Sequence, residues 1–469
     1  MRLLLTNIFL FFSTFAIAHP FNANAYLVID TDGGIDDFRA LCLLLSAPDV
    51  RVLGITASSG VLNAEQAGIK AKALLNSLNR EGVPVAINRL MPEKGMGCGP
   101  AAEFRWGDEE LAASHDFISL DSLADYLAVH FRKKITHVSL GSLSSIIHLS
   151  KTNPGFSALV DRIIWSSDAN YPFTGFNHSI DTTLADNLHH LPVKPVVVNG
   201  PGQYTGDFIS TLGDLWSRTA DMYALAFGEK PMQSTMATNA YDEMVAVYLH
   251  FPEFFTIDTN DHAIFARYAS GESAQKQFAY ILEEYHLQFH QVMETLPREK
   301  NYYQADVQQM MGHTIQRHGV AEWNSVVQTF ELHRHIGIYA LVGAKMGIRA
   351  LEYFGAGIDE LSVLSHTGYS PPVSCMMDGI QVSTGATVGH GLIRVMKDRV
   401  EPTADFTYLG TTIRIRLKES YRNMIADEIG QLVRTYGLES DDYWVEVRAN
   451  ALRYWLEMCR YEIFEIEKI

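Results

Sequence analysis

No block of lysine and arginine occurs anywhere in the 469 residues, and acidic residues outnumber basic ones by 54 to 37, giving a formal net charge of −17. A nucleic-acid polymer is therefore not an expected partner, because binding its phosphates needs a basic surface. Cysteine is scarce. The four residues Cys42, Cys98, Cys375 and Cys459 have spacings that fit neither a zinc ribbon nor a dense disulfide framework. Cys42 lies on an apolar helical face and reads as core. Internal repeats and low-complexity tracts are also missing. Charged residues make up only 19% against 47% hydrophobic, which excludes a disordered chain. The length suits two or three domains.

Beyond the N-terminus no apolar run is long enough to cross a bilayer. The N-terminus itself, "MRLLLTNIFLFFSTFAIAHP", has Arg2 as a positive start, Leu3 to Phe15 as an apolar centre and Ala16-Ile17-Ala18 as a small-residue cleavage site. Residues 1–18 are expected to be a signal peptide, and the apolar centre is short for an anchor. The mature chain is then periplasmic or secreted, with no membrane span, in a compartment where disulfides can form.

From Tyr26 to about Val198 short apolar runs alternate with helical ones: "YLVI", "FRALCLLLSA", "VLGITA", "AEQAGIKAKALLNSLN", "PVAI", "ITHVSLG", "SLSSIIHLS", "DRIIWSS", "KPVVVNG". Such alternation predicts an α/β fold with a doubly wound, mostly parallel sheet. Ligands of these sheets bind beyond the carboxyl ends of the strands, where the polar residues Asp30 to Asp37, Ser58, Asp168, Asn170 and Asn199 fall. After residue 270 the alternation is lost, and a boundary is placed near Pro297. The expected organisation is an α/β domain over 24–297, a helical linker over 298–325 and a smaller α+β domain over 326–469. In the last of these, a helix carrying His333 and His335 precedes Gly/Ser/Thr-rich strands around "CMMDGIQVSTGATVGHG".

The densest chemistry is in "DTDGGIDD", residues 30–37, which places Asp30, Asp32, Asp36 and Asp37 at one turn between a strand and a helix. Helix capping and the helix dipole account for one or two carboxylates at such a place. Four repel one another, which raises their pKa values and destabilises the turn. A hard cation with several oxygen ligands resolves that conflict, and calcium is the expected ion. "GMGCGP" at 95–100 has neither a preceding strand nor a following Lys-Ser/Thr, so it reads as a flexible lid rather than a phosphate loop.

"DTDGGIDD" resembles the "DTDPGxDD" signature of the inosine-uridine-type nucleoside hydrolases, and the resemblance runs over roughly residues 26–295. It implies a calcium site with Asp30, Asp32, Asp36 and Asp37, in which Asp32 is also the general base. "GSLSS" at 141–145 is similar to the family's "GPLTN", which implies a calcium ligand from the main-chain carbonyl of Ser144. "GFNHSID" at 175–181 resembles "EFNxxxD" and implies that Asn177 contacts ribose. "AYDEMVAVYLHFPEFF" at 240–255 looks like "HDPxAVAYxxxPxxF", which makes Asp242 the distal calcium ligand; a helix cap is its alternative. Val61 follows Gly60 where the family has "GN". Gly175 stands for a glutamate, Tyr241 for the histidine that helps the base leave, and Trp106-Gly107 for "HG". Tyr241 is then a candidate catalytic group, and Trp106 and Asn170 join Asn177 as candidate substrate contacts; packing at the pocket rim is the alternative for Tyr241 and Trp106.

"FELHRHIGIYALVGAKMGIRALEYFG" and "PPVSCMMDGIQVSTGATVGHG" resemble the E-type subunits of formylmethanofuran dehydrogenase over about residues 326–420. His333, His335, Cys375 and Asp378 fall on that family's polar motif positions, implying a second site for zinc or another transition metal, with Thr384, Thr387 and His390 near it. Two histidines at i and i+2 share no helix face, so incidental placement is the alternative, while strand or loop geometry would let both reach one metal. The family's other motif cysteines are Gly337 and Ala386 here. Two functions stay open: a calcium-dependent hydrolase of N-glycosidic bonds in nucleosides or similar small glycosides, with an accessory metal-binding domain, or a non-catalytic binder of a nucleoside-like or metal-containing ligand. A homo-oligomer is the expected assembly.

Overall fold

The computed structural model describes residues 23–90, 99–168, 170–181, 183–200, 202–203, 239–270, 273–282 and 296–469. The expected signal peptide, Cys98 and most of the "GMGCGP" segment lie outside these residues. In the first domain the strands are β1 (Ala25–Thr31), β2 (Val50–Ala57), β3 (Val85–Ile87), β4 (Ile118–Ser119), β5 (Ile135–Ser139), β6 (Val160–Ser166) and β7 (Val196–Asn199). A short ribbon pairs β8 (Gly202–Gln203) with β9 (Asn239–Ala240), and β10 (Phe255–Thr259) and β11 (Ile264–Tyr268) form a hairpin. The nine-stranded sheet has the order β10-β11-β7-β6-β5-β1-β2-β3-β4 and is parallel except at the β10–β11 edge.

Every residue of β1 is buried, as a strand covered on both faces requires. Its alternate side chains feed two cores. Leu27 and Ile29 join Phe38, Leu41 and Leu45 of helix α1 (Ile35–Ser46), Leu74 of α2 (Ala64–Ser77) and Met244 of α4 (Glu243–His250). Tyr26 and Val28 pack on the other side with Leu123, Leu127 and Ile146, the last on α3 (Ser144–Thr152). The chain runs outward from β1 through β2, β3 and β4, then crosses back to β5 and continues the other way. That reversal opens a crevice at the carboxyl ends of β1 and β5. Cys42 is a fully buried core residue, and Cys42, Cys375 and Cys459 are in no disulfide.

The C-terminal domain has a five-stranded sheet, ordered β13-β12-β14-β15-β16, from β12 (Ser362–Ser365), β13 (Ile393–Val395), β14 (Thr403–Tyr408), β15 (Thr411–Leu417) and β16 (Phe464–Lys468). The expected linker is instead part of this domain. Helices α5 (Ala305–His318) and α6 (Val320–His333) place Met311, Trp323 and Phe330 in one core with Trp455, and Trp323 stacks on Trp455 at 4.6 Å. At its centre Glu322 accepts from Lys345 at 2.5 Å and Arg460 at 2.7 Å, all three fully buried. The expectation of strands around "CMMDGIQVST" is also corrected. Residues Met376–Thr384 form helix α8, ended by Gly385 at φ 71°; their apolar spacing serves a helix on α7 (Ile338–Phe354).

Polar contacts join the two domains. Glu360 accepts from Tyr26 Oη and Arg51 Nε, each at 3.2 Å, and Glu81 accepts from Arg349 at 2.5 Å. Tyr126 Oη donates to the carbonyl of Leu409 at 2.6 Å. Among the described residues no helix is long and apolar enough to cross a membrane.

Candidate active site and metal centre

Beyond the carboxyl ends of β1, β5, β6 and β7 lies a cavity of about 800 Å³. Asp32, Asp36, Asp37 and Asp242 all line it. Ligand oxygens of Asp36, Asp37 and Asp242 lie within 4.8 Å of one another. Asp32 sits at the end of β1 with its side chain buried, and neither of its carboxylate oxygens has a hydrogen-bond partner. Glycines on two sides make this placement possible: a Cβ on Gly60 would stand 2.2 Å from Asp32 Oδ2, and one on Gly141 would stand 2.8 Å from Asp32 Cβ.

Asp37 is held by Thr31 Oγ1 at 2.7 Å and by the Asp32 amide at 3.0 Å, both on Oδ1. Asp242 Oδ1 accepts from Ser166 Oγ at 2.5 Å. Although Asp242 precedes α4, its side chain makes no capping hydrogen bond, so a capping role does not explain it. The next residue, Glu243, is buried against Arg39 of α1 and accepts from the Tyr241 amide at 3.1 Å. This ties the start of α4 to α1 and thereby Asp242 to the aspartate turn.

Burial dominates the electrostatics. It pushes Asp37 up to about 6, with Asp36 adding repulsion. Burial and then the charges of Asp37, Asp36 and Asp30 raise Asp32, while burial, Asp36 and Asp37 raise Asp242. A cluster of this kind stays ionised only beside positive charge. Convergent buried carboxylates fit the donor set of a hard divalent cation; Asp36, Asp37 and Asp242 are the side chains that would hold it, with the unpartnered Asp32 beside them on the cavity wall.

Asp30 has a different place. Its Oδ2 accepts from Thr56 Oγ1 at 2.5 Å, Ser58 Oγ at 2.8 Å and Ser145 Oγ, and burial lifts it to about 7. Asn88, fully buried at the end of β3, donates to Ser58, Ser144 and Ser145 at 2.8–3.2 Å. Asp30 is thus a support beneath the turn, outside the group of converging ligands. Asn88 carries no motif that would have singled it out, whereas Ser58 and the "GSLSS" serines fall where polar residues are expected.

Several expected residues fall elsewhere. Ser144 does not line the cavity; it is the first residue of α3, and its hydroxyl bonds Ser142 and Asn88. Leu140 lines the cavity, and its carbonyl accepts from Asn177 Nδ2. Trp106 is 1% exposed and stacks on Phe38 at 4.7 Å, so it packs the core and is not among the residues lining this cavity. Asn170 is exposed and off the cavity wall. Asn177 lines the cavity, but its amide also donates to the carbonyl of Ser166 at 2.8 Å. Tyr241 lines the cavity and is 50% exposed at its rim.

In the second domain His333 ends α6, and Arg334 turns the chain at φ 66°. That turn brings the His333 and His335 rings to 4.2 Å between centroids. His333 Nδ1 bonds Asp378 Oδ2 at 2.7 Å. Cys375 adjoins the start of α8, and burial together with Asp378 pushes its thiol up. Among the described residues, these four do not form a group of three or more ligand atoms within 4.8 Å. His390 is not near them: it bonds the Gly385 carbonyl at 2.9 Å and pairs with Asp359, at the opposite end of α8.

The family described as "Inosine-uridine preferring nucleoside hydrolase" matches residues 27–328, and "FmdE, Molybdenum formylmethanofuran dehydrogenase operon" matches residues 332–465. Uridine nucleosidase 1 of Arabidopsis thaliana is 27% identical over 166 residues, 34% of this chain and 49% of that protein. The match thus spans about half the length of that relative. Non-specific ribonucleoside hydrolase RihC of Klebsiella pneumoniae is 24% identical over 251 residues, 49% of this chain and 81% of that protein. A solved plant nucleoside hydrolase, PpNRh1, aligns with a TM-score of 0.41 at 21% identity, covering 56% of this chain and 98% of that one.

Proposed function

The chain belongs to the inosine-uridine preferring nucleoside hydrolase family through residues 27–328, and on that premise we propose that it is an exported, calcium-dependent hydrolase of N-glycosidic bonds in nucleosides or nucleoside-like compounds. The observation that carries this reading is the convergence of Asp32, Asp36, Asp37 and Asp242 in one cavity, with both oxygens of Asp32 unpartnered. When bound, calcium supplies the positive charge that keeps these carboxylates ionised and a Lewis acid beside the sugar.

Asp32 acts as general base. Buried between Gly60 and Gly141 with both oxygens unpartnered, its carboxylate is placed to take a proton from water. The water oxygen bonds to the anomeric carbon as the carbon–nitrogen bond breaks, through an oxocarbenium-like state that the surrounding carboxylates stabilise. Tyr241, at the rim, gives its hydroxyl proton to the leaving base or stacks on it. Asp30 and its hydroxyl partners hold the end of β1 in place. In the C-terminal domain Asp378 orients His333.

A second reading, a binder without turnover, draws on Val61 and Gly175, which line the cavity and offer no polar side chain to a sugar. The two separate in an assay of reducing-sugar release from a nucleoside panel, with calcium or chelator, beside Asp32→Ala. Calcium-dependent release that is lost in the variant supports the hydrolase. Nucleoside binding with no release supports the binder.

A further inference from the structure

The cavity is chemically lopsided. Beside the aspartate group, Ile35, Val61 and Ala101 give the wall a hydrocarbon stretch. Outside the metal group, the polar side chains on the wall are those of Ser166, Ser167, Asp168, Asn177, Asn199 and Tyr241. There the Asn177 amide is committed to the carbonyls of Leu140 and Ser166. Asp168, just past the end of β6, also lines the cavity. Among the described residues its carboxylate takes one long hydrogen bond, from Thr174 Oγ1 at 3.4 Å. Acceptor capacity remains for a ligand.

Gly175 keeps that carboxylate where it is. A Cβ at this position would lie 2.6 Å from Asp168 Oδ2 and 2.9 Å from its Cγ, and the backbone sits at φ 91°, where side chains are disfavoured. The bare backbone at 175 and the carboxylate at 168 thus form a complementary pair: one leaves the space, the other fills it at the cavity wall.

Resting on the nucleoside hydrolase reading, we propose that Asp168 is a specificity-determining residue that accepts a hydrogen bond from a hydroxyl of the substrate's sugar. Asp168 is exposed in the open cavity, and a bound sugar covers it; an analogue lacking the bonded hydroxyl then leaves the covered acceptor unpaired and is rejected. Asp168 therefore selects fully hydroxylated sugars over one of their deoxy forms.

The test is kinetics of the calcium-loaded full chain and of Asp168→Ala and Asp168→Asn on uridine, inosine and their 2′-, 3′- and 5′-deoxy analogues. Asp168→Ala is expected to lower kcat/KM for the parent nucleosides roughly 10- to 100-fold. For one deoxy analogue the same substitution should change little, since the hydroxyl it would have bonded is already gone. Asp168→Asn, which keeps an acceptor, should retain part of the discrimination. An active wild type whose Asp168→Ala variant loses all substrates equally, or none, overturns the assignment. A wild type that neither binds nor cleaves any nucleoside overturns the hydrolase reading, and this assignment with it.

Discussion

Carboxylate oxygens of Asp37 and Asp242 lie within 4.8 Å of each other, although one residue belongs to the first helix of the domain and the other introduces α4, far along the chain. Two buried anions at that distance are stable only with a shared proton or a cation between them. The rest of the site follows from this closeness: Arg39 and Glu243 join the two helices, and the cavity opens over the group they create.

The pH dependence of the metal-free chain follows. Folding raises Asp37 to about 6 and Asp30 to about 7, above the ~4 of an unfolded chain. Raised carboxyl groups contribute stability that is fully present below the unfolded pKa and lost as pH rises through the folded values. In chelator, the melting temperature should therefore fall between pH 5 and pH 8, with a group raised two units accounting for up to about 3 kcal/mol. Calcium should restore it at pH 8 and do little at pH 5. Thermal unfolding with and without calcium checks this, and a flat profile in chelator contradicts it.

Gly60→Ala should disable the site while leaving the fold. Its Cβ would fall 2.2 Å from Asp32 Oδ2 and 2.6 Å from Asp32 Cβ, so Asp32 must move. A displacement near 1 Å costs roughly 100-fold in rate. Circular dichroism should be unchanged while sugar release drops; full activity in the variant would show that Asp32 does not act from this position.

Phosphorylated substrates should be rejected. Five aspartates, Asp32, Asp36, Asp37, Asp168 and Asp242, line the cavity, with no lysine, arginine or histidine among the described lining residues. Nucleoside monophosphates should show kcat/KM at least about 10-fold below the nucleosides, since one unpaired anion among these charges costs more than about 1.4 kcal/mol. Comparable turnover of both would place an unseen cation at the mouth.

Glu360→Ala should loosen the two domains from each other. Glu360 joins Tyr26 and Arg51 across the interface and also caps the Gly357 amide at 2.7 Å. Its loss should lower the first thermal transition by about 1–3 kcal/mol and separate the unfolding of the two domains in calorimetry. A single unshifted transition would assign the interface to its other contacts.

The sequence is most readable where side-chain identity and local period coincide. "YLVI" followed by an aspartate turn and "FRALCLLL" specifies a buried strand, a polar crossover and a helix, and those elements are found there. The β10–β11 hairpin escapes the pattern because as an edge it is polar on one face. Ser144 is the expected source of a main-chain oxygen, and the direction of a carbonyl is set by backbone path rather than residue type, which a sequence pattern does not give. Trp106 packs on Phe38 because its loop folds back over α1, which no local pattern encodes. The left-handed Arg334, which brings His333 and His335 together, and the close approach of Gly60 and Gly141 to Asp32 likewise exist only in three dimensions.

The most direct measurement is a calcium titration of metal-depleted protein, reading bound calcium and sugar release at each point. The account expects release to be absent without metal and to rise in proportion to occupancy of a site that Asp242→Asn weakens. Full release from the metal-depleted chain, or full calcium occupancy with no release from any nucleoside, would contradict it.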